Sequence, residues 1–175
     1  MKRRIVQLPR KMRGRGGRPS SPPLSLKYAI WGVLSSTVGI LAIFAATRMA
    51  GHPYLIGSFG ASAVLLFGAP DATFAQPRNL IGGQLLSAAV AVVVVACGGS
   101  GPVAIALAVG LANLLMYVTR TVHPPGGAIA LLGVQGHVGA SYLIDPILVG
   151  VLILLTVALF TNNIVHHRQY PKYWW

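Results

Sequence analysis

The chain has 175 residues, of which 54% are hydrophobic and only 9% are charged, and its net charge is +12. This composition excludes an ordinary soluble domain and indicates a small membrane protein. Nine of the fourteen lysines and arginines lie in the first 27 residues, so the charge does not form a folded nucleic-acid-binding surface.

Residues 1–26 are rich in arginine, lysine, glycine, proline and serine and have no apolar period. This pattern predicts a disordered basic cytoplasmic tail that contacts anionic lipid headgroups. The long basic stretch leads into a full-length span, unlike a cleaved signal peptide. Nucleic-acid binding and an organellar transit function are the alternatives for this segment, but we expect no nucleic-acid partner.

Residues 27–165 are predicted to form the transmembrane domain. Four apolar stretches in it have the length of a span, because about 20 residues at about 1.5 Å each match a hydrocarbon core of about 30 Å. These stretches are residues 28–49, 80–96, 103–118 and 142–164. Aromatic and basic residues in 166–175 predict an interfacial C-terminal tail.

Two further apolar stretches are interrupted by proline and glycine. The clearer interruption is His123-Pro124-Pro125-Gly126-Gly127-Ala128, which predicts a new helix starting near Pro125. The stretch 51–68 is similarly broken, with a helix predicted from about Gly60 to Phe67. Irregular backbone at membrane depth is tolerated only where it is buried in protein or lines a polar cavity.

The two broken segments resemble each other. Residues 60–68 align with 125–133 without a gap, and each follows a His-Pro pair. The chain therefore reads as two units of span, broken helix and span. If the broken segments are re-entrant, there are four crossings, and Arg48, Arg78 and Arg120 all lie away from the cytoplasm. If the broken segments cross the membrane, there are six crossings, and only Arg48 lies away from the cytoplasm.

The preference of lysine and arginine for the cytoplasmic side thus favours six short or broken crossings over four plus two re-entrant segments. Both termini would then be cytoplasmic, in the cell (inner) membrane. Three crossings per unit would make the units an inverted repeat, a recurring transporter design in which helix N-termini point at anionic groups.

Several motifs resemble those of the HPP family of integral membrane proteins, which is named for a His-Pro-Pro tripeptide. They are His123-Pro124-Pro125, residues 57–68, residues 75–79 and the ending 170–175. The resemblance covers nearly all of the chain beyond the tail. It implies four membrane spans, in tension with the arginine count, and nitrite transport, which is associated with plant and cyanobacterial members. Gly126 stands where many members have alanine.

A small-anion site needs hydrogen-bond donors without a high fixed charge. We expect backbone N–H groups from the two helix starts, with the hydroxyls of two serines and a polar cluster at the start of the third span nearby. The predicted substrate-binding residues are Ser58, Gly60, Ala61, Ser62, Arg78, Asn79, His123, Pro124, Pro125, Gly126 and Gly127.

Two of these residues have an alternative interpretation. His123 could donate from its ring or carry a proton that links anion uptake to pH, or it could be a structural histidine bonded to a backbone carbonyl. Arg78 could attract anions into a vestibule or simply lie at the end of a span.

The sequence favours an integral membrane transporter or channel for a small inorganic anion, with nitrite the leading candidate. The alternative is a non-transporting scaffold or accessory subunit of a larger complex. An enzyme is not expected, because the only acids are Asp71 and Asp145 and no nucleophile pattern accompanies them. We expect no cofactor and no metal, and a homo-oligomer because one small chain rarely encloses a pathway.

Overall fold

The computed structural model describes residues 25–49, 57–165 and 168–175, and this part of the chain contains helices and no strand. The predicted all-α class is therefore confirmed. The helices are α1 (Leu26–Met49), α2 (Gly57–Gly68), α3 (Pro77–Ala96), α4 (Gly101–Val118), α5 (Gly126–Gln135) and α6 (Val149–Ile164). A 3-10 turn at Thr73–Ala75 precedes α3, and two irregular turns, Ala140–Leu143 and Ile144–Leu148, lead into α6.

Four stretches are long and apolar enough to cross a membrane: α1, α3, α4 and the continuous segment Ala140–Ile164. These are the four predicted spans. The start of α3 differs from the prediction, because Pro77 lies in the first helical turn, where its missing N–H is not needed. Arg78 and Asn79 are consequently helical and not part of the predicted connection.

The two broken segments each contain one short helix. α2 has 12 residues and α5 has 10, so they are roughly 18 Å and 15 Å long, about half the thickness of a hydrocarbon core. α2 begins at Gly57, one turn before the predicted Gly60. α5 begins at Gly126, because Pro125 belongs to the turn that precedes the helix.

Contacts between helices give the direction of the first three. A β-carbon placed on Gly32 would lie 3.4 Å from the carbonyl oxygen of Phe67, so α2 ends beside the start of α1 and runs against it. The chain then turns through residues 69–76 and returns as α3. Residues 50–56, which would form the first half of the second crossing, lie outside the described residues.

The second half of the chain repeats this course in the opposite direction. Arg78 donates to the carbonyl of Thr119 at 2.9 Å, so α4 ends beside the start of α3. Residues 119–125 then run parallel to α3, and α5 continues in the same direction, so that Gly133 lies against Ala91.

The last span descends beside α1. Trp31 donates its indole N–H to the carbonyl of Thr161 at 2.7 Å, and Arg168 donates to the carbonyl of Tyr28 at 3.0 Å. The start of α1 and residues 168–175 therefore lie on the same side. These directions agree with six short or broken crossings and not with two re-entrant segments.

The core lies where the half-helices meet the spans. Its fully buried large side chains include Phe59 and Phe67 of α2, Ile43 of α1 and Leu154 of α6. Gly39 allows this packing, because a β-carbon there would lie 3.0 Å from the ring of Phe67. Close approach through a glycine is the usual way that membrane helices gain contact area.

Candidate functional site

The imidazole of His123 is fully buried and has a protein atom at each nitrogen. Its Nδ1 lies 2.8 Å from the carbonyl oxygen of Phe74, and its Nε2 lies 2.9 Å from the hydroxyl of Ser62. A carbonyl only accepts, so Nδ1 carries the proton and Nε2 is the acceptor of a neutral ring. The predicted alternative of a histidine bonded to a backbone carbonyl is thus observed, and the second nitrogen contacts the side chains of Ser62 and Gln84.

Ser62 and Ser58 share one face of α2, one helical turn apart. The hydroxyl of Ser62 lies 2.9 Å from the carbonyl of Ser58, as well as near His123. Ser58 is also fully buried, but its hydroxyl has no hydrogen-bond partner. Because an unpaired buried hydroxyl costs free energy, this group marks a place where a further polar partner would be stabilised.

Gln84 of α3 completes the arrangement, and sequence reasoning did not include it among the site residues. Its amide nitrogen lies 2.8 Å from the Ser62 hydroxyl and 3.3 Å from Nε2 of His123. Its carbonyl oxygen Oε1 is buried without a partner. The only sequence signal was that Gln84 is the most polar residue within the predicted span 80–96. We call Ser62, Gln84 and His123 the polar cluster.

The start of α5 supplies fewer donors than predicted. The N–H groups of Gly126, Gly127 and Ala128 bond the carbonyls of residues 123, 124 and 125 at 2.9, 3.1 and 3.1 Å. The N–H groups of Gly126 and Gly127, which were expected to be free for an anion, thus have backbone partners, and anion binding by these residues stays a prediction. The cause of this bonding is the Pro124-Pro125 turn, which brings carbonyls three residues back within reach of these groups. Gly126 instead allows close packing, because a β-carbon there would lie 2.6 Å from the Ser87 hydroxyl.

The start of α2 is also displaced from the prediction. Because the helix begins at Gly57, Ala61 and Ser62 lie beyond its first turn, where each N–H bonds the carbonyl four residues back. The available N–H groups belong to the first turn, which includes Ser58. Gly60 is half-buried and Ala61 is exposed, so neither backs onto the polar cluster.

Arg78 and Asn79 hold the broken segment and lie outside the polar cluster. The guanidinium of Arg78 donates to the carbonyl of Thr119, and the amide of Asn79 donates to the carbonyl of Val122 at 2.8 Å. These bonds satisfy carbonyls that the break leaves without helical partners. Their observed contacts therefore position His123, which the sequence pattern did not indicate.

Pro124 and Pro125 meet α2 on the outer surface. Together with Ala61, Val64 and Ala128 they line an open, largely apolar groove of about 690 Å³. This outer groove is separated from the polar cluster by the buried face of α2. The structure therefore divides the predicted residues between an internal polar cluster and an external groove.

The C-terminal residues pack against the segment that precedes α3. Arg168 and Tyr170 are buried, and the Tyr170 hydroxyl donates to the carbonyl of Ala75 at 2.7 Å. The backbone N–H of Lys172 donates to Gln76 at 2.8 Å. Residues 168–172, which we call the C-terminal strap, thus contact the segment that contains the turn Thr73–Ala75. The carbonyl of Phe74 in this turn accepts the hydrogen bond that orients His123. The sequence predicted only an interfacial tail here, and residues 166–167 lie outside the described residues.

Among the residues that the structure describes, no three His, Cys, Asp or Glu side chains lie together. Cys97 is exposed in the turn between α3 and α4. A separate cavity of about 360 Å³ near Tyr142 and Asp145 contains none of the predicted site residues. The polar cluster joins three fully buried polar side chains, one from α2, one from α3 and one from the segment before α5.

Known proteins that are similar to this chain are also membrane proteins. Two transmembrane proteins of Dictyostelium discoideum are similar to the chain: one is 43% identical over 183 residues, covering 98% of this chain and 64% of the relative. The other is 42% identical over 173 residues, covering 92% of this chain and 56% of the relative. The chain thus spans about half to two thirds of the length of these curated relatives. No solved structure matches it. Residues 21–171 match the family described as HPP, transmembrane region, and the chain therefore belongs to the HPP family of transmembrane proteins.

Proposed function

We propose that this protein transports a small inorganic anion, with nitrite the leading candidate, through a site between the two broken segments. The observation that carries the proposal is the buried hydroxyl of Ser58, which has no partner and lies one turn from the polar cluster. A monovalent anion with two oxygens would accept a hydrogen bond from it and from a neighbouring donor. The motifs shared with family members that are associated with nitrite transport support the same substrate class.

The course of the chain supports a transport role as well. The two units run in opposite directions, and each contributes one half-helix. We propose that they form an inverted repeat, the arrangement from which alternating access arises by rocking one unit against the other. No carboxylate lies in the polar cluster, so we propose no enzymatic activity and no cofactor.

We also propose that both termini are cytoplasmic in the cell membrane and that the basic tail contacts anionic lipid. On the side of the termini lie Lys27, Arg78, Arg120, Arg168 and Lys172, whereas Arg48 lies at the opposite end of α1. Positive charge is characteristically retained on the cytoplasmic side.

Substitution of Ser58 tests the site. Ser58→Ala removes no hydrogen bond within the protein, so the free energy of unfolding should change by less than about 0.5 kcal/mol. If the hydroxyl binds the anion, the apparent affinity should fall roughly tenfold to a hundredfold, the worth of a bond to a charged group. The measurement is nitrite, nitrate and formate uptake into proteoliposomes, with thermal unfolding of the same samples.

Two serines serve as controls for that experiment. Ser36→Ala should leave uptake unchanged, because its hydroxyl bonds only the Gly32 and Val33 carbonyls of α1. Ser62→Ala should lower stability, since it leaves Gln84 and His123 without their partner. Unchanged uptake in Ser58→Ala would remove Ser58 from the site, and no uptake by folded wild-type protein would reject transport.

We propose further that the protein is a homo-oligomer, because Asn113 lies on the exposed face of α4 and has no hydrogen-bond partner among the described residues. An unpaired amide in hydrocarbon is unfavourable, and a second copy of α4 would supply a partner. Asn113→Leu should weaken the oligomer in mass measurements by light scattering, whereas Leu107→Ile should not. A wild-type monomer would contradict the proposal, and so would an Asn113→Leu oligomer of wild-type stability.

A further inference from the structure

We infer that Gln84 turns its side-chain amide according to whether His123 carries one proton or two, and that only the turned amide binds the anion beside Ser58. This inference rests on the proposed transport function and names how that site is regulated. Its starting point is the set of hydrogen bonds within the polar cluster.

The observed bonds belong to a neutral imidazole. Nδ1–H donates to the Phe74 carbonyl, which leaves Nε2 as an acceptor. The Gln84 amide nitrogen, 3.3 Å away, points its N–H groups toward this acceptor and toward the Ser62 oxygen. In this state every cluster donor is directed into the protein, and none is offered to a solute.

The same arrangement leaves Gln84 half satisfied. Its Oε1 is buried and has no partner, although an amide oxygen can accept two bonds. A buried acceptor without a donor costs roughly as much as a lost hydrogen bond. The observed orientation is therefore favoured by an Nε2 that accepts, and it leaves Oε1 ready to accept from a new donor.

A second proton on His123 would reverse this requirement. Nε2–H would then donate to the Ser62 oxygen at 2.9 Å, to which the N–H of Gln84 already donates, and these two donors would face each other across 3.3 Å. Because the amide oxygen and nitrogen have nearly the same size, a half-turn about the last side-chain bond exchanges them without repacking. Oε1 would accept from Nε2–H, and the amide N–H groups would point to the space that Oε1 now occupies. The proton is taken up from water and returned to it.

The turned state has the chemistry of an anion site. It combines the positive charge of the imidazolium, the free N–H groups of Gln84 and the unpartnered hydroxyl of Ser58. A buried charge is unfavourable unless it is paired, so the imidazolium and the anion stabilise each other. Loss of the proton would turn the amide back and release the anion. One proton would accompany each monovalent anion.

No other charged group in the described chain shares this switch. α2 presents Ser62 to the ring, α3 presents Gln84, and the turn before α3 presents a carbonyl. Arg78, six residues before Gln84, is bonded to Thr119, and Arg120, three residues before His123, is exposed. Of the two acids, Asp71 pairs with Lys172 at 3.1 Å, and Asp145 lines the separate cavity near Tyr142.

The pH profile of nitrite uptake tests the switch. In wild-type proteoliposomes, uptake should rise about tenfold per unit fall in pH while His123 is mostly neutral, as linkage of one proton to one anion requires. Gln84→Glu can pair with the imidazolium but offers no N–H to the anion, so its uptake should be low and nearly independent of pH. If the charge of Gln84→Glu disturbs folding, Gln84→Met serves in its place, because it keeps the length of the side chain. Its uptake should also be low and nearly independent of pH.

The matched control is Gln135→Glu, an exposed glutamine at the end of α5, which should keep the wild-type profile. A wild-type slope in Gln84→Glu or Gln84→Met would overturn the inference. Side-chain amide resonances of ¹⁵N-glutamine in nanodiscs give a readout that does not need transport. The Gln84 signals should shift with pH in wild type and stay constant in His123→Ala.

The two readouts separate the possible failures. A protein without anion uptake whose Gln84 signals still follow His123 would reject the proposed transport and retain the switch. Gln84 signals that do not change with pH in the wild-type protein would reject the switch itself, whatever the uptake.

Discussion

Gly83 shows how closely the broken segment is packed at the level of single residues. A β-carbon there would lie 2.5 Å from the β-carbon of His123 and 2.8 Å from the carbonyl oxygen of Thr121. Both distances are shorter than atoms can approach, and one of the obstacles is backbone. No side chain larger than hydrogen fits between α3 and the segment that carries His123.

Gly83→Ala should therefore lower the free energy of unfolding by about 1–3 kcal/mol, the usual cost of overpacking, and displace His123 from Ser62. Thermal unfolding in detergent measures the first effect and the pH profile of uptake the second. Gly110→Ala is the matched control, because open space surrounds Gly110 on α4. Equal melting temperatures for the two variants would show that the contact is not tight.

Residue patterns predicted some members of the site and missed others for a physical reason. His123, Ser58 and Ser62 could be found because proline and glycine mark the breaks and because polar residues are rare in spans. Gln84 could not be assigned, since a helix that is apolar on all sides carries no stripe to show which face is internal. Its partners depend on the rotation of α3 about its axis, which only the packed structure provides.

The C-terminal strap is the element that connects the tail to the polar cluster. Tyr170 is 2% exposed, and its hydroxyl bonds the carbonyl of Ala75, next to the residue that holds His123. Aromatic and basic residues in this pattern are typical of interfacial anchors, so nothing in the pattern indicated that two of them are internal.

Tyr170→Phe should lower the free energy of unfolding by about 1–3 kcal/mol, because it leaves the Ala75 carbonyl buried and unpaired. Burial raises the pKa of Tyr170 above its ordinary value of about 10. The stabilising effect of Tyr170 should therefore be complete below pH 10 and decrease as the pH rises toward the folded-state value.

Denaturation curves of Tyr170→Phe and wild type at several pH values measure both effects. Tyr173→Phe is the control, since Tyr173 is 40% exposed. A difference between Tyr170→Phe and wild type that persists undiminished at strongly alkaline pH would contradict the assignment.

Helix positions were more predictable than their boundaries. All four spans were expected, because about 20 apolar residues suffice to identify a span. The starts of α2, α3 and α5 differ by one to three residues, since the turns at Pro77 and Pro124-Pro125 are set by local backbone bonds. The directions of the helices across the membrane were inferred from only three arginines. The contacts between neighbouring helices support these directions independently.

At the scale of the whole molecule, six crossings place the two main connections on opposite sides. Residues 69–76 lie on the side where α1 begins, next to the C-terminal strap, whereas residues 136–139 lie on the other side with Cys97. With two re-entrant segments, residues 69–76 and 136–139 would lie on the same side.

Cysteine labelling distinguishes these arrangements. In a Cys97→Ser background, Thr73→Cys should react with a membrane-impermeant maleimide only from the side of the termini, and Gly139→Cys only from the opposite side. The native Cys97 of the unmodified chain should label like Gly139→Cys, since it is exposed in the turn after α3. Labelling of both introduced cysteines from one side would contradict six crossings.

The bond from Arg168 to the carbonyl of Phe67 has a consequence for biogenesis. The two residues are 101 positions apart, and the guanidinium satisfies a carbonyl at the last turn of α2. During synthesis, α2 enters the membrane long before Arg168 has been made, with that end of the helix still uncapped. We therefore expect the Phe67 carbonyl to gain this partner only after Arg168 has been synthesised, when the earlier spans have already been inserted. Ribosomes stalled before residue 168 should yield inserted chains whose α2 is still open to protease or labelling reagent.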